Sequence, residues 1–131
     1  GTDFPVEDIN PFKTFLASVA RKDAQNYPEN GFQKENALTR EQTLRGMTIW
    51  AAKSVFQEKE RGSLEVGKNA DFIILNQDLM NIDEKDILKT NVLETWVDGT
   101  KSYYNQKYFD DLAKKLSGRI VSLDIIEAKA K

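Results

Sequence analysis

Apolar residues along this chain keep a helical period up to about residue 57 and then change to a period of two. Phe12, Phe15, Leu16 and Val19 fall at i, i+3, i+4 and i+7, which is one face of a helix. Asn10 suits an N-cap and Pro11 suits the first helical position, so a helix is predicted from there to about Asp23. Tyr27-Pro28-Glu29-Asn30-Gly31 then breaks it with turn chemistry. Thr39 and Gln42 have capping-box spacing and start a second helix, expected to run to about Ser54. Leu44, Met47 and Ala51 form one apolar row on it, and Ile49, Ala52 and Phe56 another, which predicts a helix packed between layers.

Strand signals dominate after that. Asp71-Phe72-Ile73-Ile74-Leu75 is rich in β-branched and aromatic residues. Residues 92–97 and 101–104 flank Asp98-Gly99, a tight-hairpin signal. A short helical turn is expected over residues 84–88, with Asp83 as its N-cap and Ile82 and Ile87 at the two staple positions. Residues 106–116 read as a helix with Tyr108, Phe109, Leu112 and Leu116 on one face. Val121, Leu123 and Ile125 alternate with Ser122 and Asp124, predicting a last strand before a frayed Glu/Ala/Lys end. The expected fold class is therefore mixed, α+β for the chain taken alone.

Composition narrows the chemistry. A chain of 131 residues is enough for one modest domain. The net charge of −2 is spread out, and no basic cluster points to nucleic acid. No apolar run approaches the 18 or so residues of a membrane span. The absence of cysteine excludes disulfides, thiolate catalysis and Cys-ligated zinc. Histidine is absent too, and hydrolytic zinc sites draw on it for their three protein ligands, so a self-contained zinc hydrolase is not expected. Gly1-Thr2-Asp3 lacks the charged and apolar regions of a signal peptide. Compartment is left open, with the cytoplasm favoured and an upstream signal peptide allowed for.

Three motifs stand in order along the chain. They are Gly1-Thr2-Asp3-Phe4-Pro5, then the stretch Leu38 to Ala52 with Thr48 and Ala51-Ala52, then Gly62-Ser63-Leu64-Glu65-Val66-Gly67-Lys68-Asn69-Ala70-Asp71-Phe72 and on to Leu75. Together, over roughly residues 1–104, they resemble the C-terminal end of a metal-dependent amidohydrolase. Within that superfamily they are most similar to the branch acting on N-substituted amides and formamides. The resemblance implies an α/β fold in three parts. Residues 1–56 would be the last strand and helices of a (β/α)₈ TIM barrel, and residues 57–104 part of a small composite β-sandwich. Residues 105–131 would be an added helix and strand, and they follow no pattern of the family. A whole barrel needs about 250 residues, so the chain is expected to be the last part of a longer enzyme.

The same resemblance implies a role for Asp3. It matches the family's Asp at the end of the eighth strand, where a carboxylate touches the catalytic metal and acts as general base. A metal brings the pKa of its bound water to around 7, a nearby carboxylate can accept a proton, and barrel sites are built at strand C-termini. What is implied for the parent is a divalent metal, zinc being the expected one, and a small-molecule amide-type substrate. No metal is expected on this chain alone, nor is activity, and neither nucleic acid nor a membrane is an expected partner.

Other residues invite weaker readings. Glu7 extends the rim loop and reads as solvated. Arg21 and Lys22 suit the negative end of a helix dipole. Lys68 and Asp71 could be taken for a catalytic pair, but they read better as stabilisers of a turn and a strand entry. Trp50, Trp96, Tyr103 and Tyr104 read as core rather than as a ligand platform. The stripe Phe12, Phe15, Leu16 and Val19 is expected to be uncovered in the isolated chain and to favour a homo-oligomer, unless the helices repack on the sheet. The competing function is a non-catalytic interaction or structural module derived from an amidohydrolase.

Overall fold

The computed structural model describes the backbone of residues 4–129 and the side chains of residues 4–117. Helix α1 spans Pro11–Ala20. Asn10 caps it as expected, its side-chain oxygen accepting the Phe12 N–H at 2.9 Å. It stops three residues before Asp23 because Arg21 turns left-handed at φ 57°, its N–H donating to the Ala17 carbonyl. Lys34 Nζ then donates to the Val19 carbonyl at 3.0 Å, serving one of the last orphan acceptors of the helix.

The apolar face of α1 is covered, against the expectation from sequence. Phe15 and Leu16 are each 1% exposed and Phe12 and Val19 are buried beside them. The covering residue is Ile87, fully buried, from a 3₁₀ segment Glu84–Lys89. Leu75, Leu79, Ile82, Leu88 and Val92 pack around this cluster. Two segments about seventy residues apart thus share one core, and the stripe is not free to drive association. The short helical turn is where its sequence puts it, although Asp83 makes no side-chain cap. Its carboxylate pairs with Lys85 at 3.2 Å instead.

The second predicted helix is two. Helix α2 covers Arg40–Met47 and α3 covers Ile49–Ser54. The capping box forms in full between Thr39 and Gln42. The break lies at Thr48, at φ −127° and ψ −99°, where the hydroxyl donates to the Leu44 carbonyl at 2.7 Å. Threonine hydroxyls that bond the i−4 carbonyl in this way weaken and bend helices. The expectation of burial on two sides is also overturned. Thr43 and Ala52 are buried, but Leu44, Met47, Trp50 and Phe56 are exposed. Arg40 ties α2 to the core instead, its guanidinium donating to the Leu79 and Ile82 carbonyls.

Strands β1 (Phe72–Leu75), β2 (Val92–Val97) and β3 (Thr100–Tyr104) form one antiparallel sheet in the order β1-β2-β3. Phe72 lies opposite Trp96, and Ile74 and Tyr104 both lie opposite Glu94. The β2–β3 turn is the one the sequence signals: Asp98 and Gly99 have φ of 50° and 70°, the two positive values a type I′ hairpin needs. Helix α4 spans Gln106–Lys129, with Asn105 Oδ1 accepting the Tyr108 N–H at its start. The strand expected over residues 121–125 is therefore helical backbone. Leu112, Leu116, Ile120 and Leu123 recur at three- and four-residue spacing, and extending a helix fixes one residue per new hydrogen bond. A new strand would need a partner to pair with.

Candidate functional site

Asp3, the one residue expected to carry chemistry, lies outside the described residues. The adjoining segment, residues 4–9, is an exposed loop, and Glu7 within it is solvated as expected. The loop is fastened to α1 through Asp8, whose carboxylate accepts the Asn10 N–H at 3.0 Å and a Lys13 Nζ proton at 2.7 Å. The Lys13 hydrogen bond, with the Asn10 N–H, holds the Asp8 carboxyl below the usual carboxylate range. Asp8 thus fixes the exit of the loop on the same turn that Asn10 caps. Sequence reading missed it, although an Asp two residues before a capping Asn is a recognisable turn signal.

The stretch Gly62 to Leu75 folds as a turn leading into β1. Gly62 sits at φ 92°, and a Cβ there would lie 2.8 Å from the Ala52 Cβ and 2.9 Å from the Ile49 Cα. The small residues Ala52 and Gly62 let this turn touch α3. Lys68 and Asp71 do not pair with each other. Lys68 Nζ donates to Ser63 Oγ at 2.7 Å and lies 3.5 Å from Glu65, while Ser63 Oγ donates to Glu65 at 2.9 Å. The Ser63 hydrogen bond and then the Lys68 charge pull the Glu65 carboxyl below its ordinary value. Asp71 accepts the Asp98 N–H at 2.8 Å, and the Gly99 N–H donates to the Ala70 carbonyl at 3.1 Å. Lys68 locks the turn and Asp71 locks the hairpin, the stabilising roles expected of them.

Arg21 and Lys22 lie just past the last turn of α1. Arg21 Nε donates to the Phe32 carbonyl at 3.1 Å, and Lys22 lies 3.8 Å from Glu84. The aromatic residues differ from expectation. Trp50, Tyr103 and Tyr104 are more than 40% exposed rather than core. Trp96 stacks on Phe72 at 5.6 Å and donates its indole N–H to Glu94 at 2.7 Å. Lys101, 2.8 Å from Glu94, covers the Trp96 ring at 5.1 Å and the Tyr104 ring at 5.3 Å. The hydrogen bonds from Lys101 and then Trp96 lower the Glu94 pKa. This cluster was readable, since Glu94 and Trp96 share a face of β2 and the Asp98-Gly99 turn brings Lys101 opposite.

The donor set does not fit a metal ion by itself. The sequence has neither His nor Cys, and among the described residues no three carboxylates converge as ligands. Among the described residues no helix is long and apolar enough to cross a membrane.

A profile of the amidohydrolase family matches residues 1–103. The N-substituted formamide deformylase of Arthrobacter pascens is 29% identical over 102 residues, which are 78% of this chain and 18% of that protein. Protein LONG AFTER FAR-RED 3 of Arabidopsis thaliana is 33% identical over 103 residues, 79% of this chain and 17% of that one. The crystal structure of an amidohydrolase from Thermotoga maritima superposes with a TM-score of 0.41 at 24% identity, over 63% of this chain and 18% of that one. The chain thus spans less than a fifth of the length of each of these relatives.

Proposed function

The chain belongs to the amidohydrolase family, and from that premise we propose that it supplies the last part of a metal-dependent hydrolase of non-peptide C–N bonds. Residues 1–56 would close a (β/α)₈ barrel and residues 57–104 would enter a composite β-sandwich, with residues 105–131 an extension. The observation that carries the reading is the family match over residues 1–103, which takes in both Gly1-Thr2-Asp3-Phe4-Pro5 and the turn from Gly62 to Leu75. The N-substituted formamide deformylase among the relatives favours a small amide-type substrate.

Asp3 is this chain's contribution to the chemistry on this reading. It would be a ligand of a divalent metal, zinc being the expected one, and the acceptor of a proton. The other ligands would come from elsewhere in the parent, since the described residues do not assemble a site. Asp8, Asn10 and Lys13 would position the loop after Asp3 through their contacts at the start of α1.

The test is Asp3→Asn in the full-length parent. Asn keeps the size and the turn preference of Asp but cannot accept the proton. Loss of a general base lowers turnover by about 10²–10⁴-fold, so kcat at saturating metal should fall by at least that much while the melting temperature holds. A kcat within a few-fold of the parent would remove Asp3 from the active site.

A second reading, a non-catalytic interaction or structural module, draws on the apolar side chains left open on the sheet and helices, among them Ile73, Val97, Leu44 and Trp50. A full-length parent without turnover on any N-acyl or N-formyl compound would favour it.

A further inference from the structure

We draw no further inference here: the strongest candidate, the apolar groove along the free edge of β1 lined by Leu44, Ile73, Ile74, Leu79 and Met80, is an unpartnered face, and nothing in the structure shows what covers it.

Discussion

Gly62 and Gly67 sit in one motif and share a φ of 92°, yet they do different work. A Cβ at Gly67 meets nothing within 4 Å, whereas one at Gly62 runs into Ala52 and the Ile49 backbone. Gly67→Ala should therefore cost only the left-handed conformation, about 1–2 kcal/mol. Gly62→Ala should add overpacking of about 1–3 kcal/mol, because the obstructing Ile49 Cα is backbone and cannot swing aside. Denaturant titration of the two variants measures the difference directly, and equal losses would show that the turn does not press on α3. The motif made both glycines legible as turn residues. Which of them touches another element depends on where α3 lies, and local sequence does not carry that. Asp71 makes the same point, since its partner Asp98 is 27 residues away.

At the scale of elements, the legible ones are those whose signals are local. The Asn10 and Thr39 caps and the Asp98-Gly99 turn each satisfy their hydrogen bonds within a few residues, and all three form as expected. The break at Thr48 was not legible, because the apolar rows run through it and only the hydroxyl bond to Leu44 marks it. Residues 121–125 fit both periods, and continuation of α4 decided between them. The docking of the 3₁₀ segment Glu84–Lys89 on α1 gives the sharpest test. Ile87→Ala removes a fully buried side chain from the cluster that holds Phe15 and Leu16. It should cost about 2–5 kcal/mol, the usual range for a core Ile replaced by Ala. Leu116→Ala, on a side chain half exposed, should stay within about 0.5 kcal/mol. Comparable losses in the two unfolding curves would mean that the α1 cluster is not the centre of the core.

For the whole molecule, charge and chemistry give one prediction each. Asp8, Glu65, Asp78, Asp86 and Glu94 all titrate below their ordinary values, held there mainly by hydrogen bonds from Lys13, Ser63, the Met80 N–H, Lys89 and Lys101 respectively. A folded pKa below the unfolded one stabilises the fold above the unfolded value, about 3.9 for Asp and 4.3 for Glu. That stability is lost as pH falls through the lower folded values. The melting temperature should hold from neutral pH down to about 5 and drop below about 4. A melting temperature flat through that lower range would contradict it. The second prediction concerns activity. With no His or Cys in the sequence and no ligand trio among the described residues, the purified chain with added zinc should turn over no N-acyl or N-formyl compound. Metal-dependent hydrolysis above background would refute this and place a complete site within the chain.

The helix-then-strand order and the hairpin were set by the sequence alone, because each rests on residues close together in the chain, and family membership by three motifs that stand in order between Gly1 and Leu75. The excluded chemistries follow from composition, since a chain without His and Cys carries no ligand of either type in any fold. What covers the α1 stripe was decided only by tertiary structure. Phe12, Phe15, Leu16 and Val19 specify that a face must be buried but not by what. Ile87 and its neighbours are suited to it through shape and distance, which no period records. The exposure of Trp50, Tyr103 and Tyr104 was decided in the same way. An aromatic ring in a helix or strand is buried only if another layer faces it, and the presence of that layer is a property of the assembled fold.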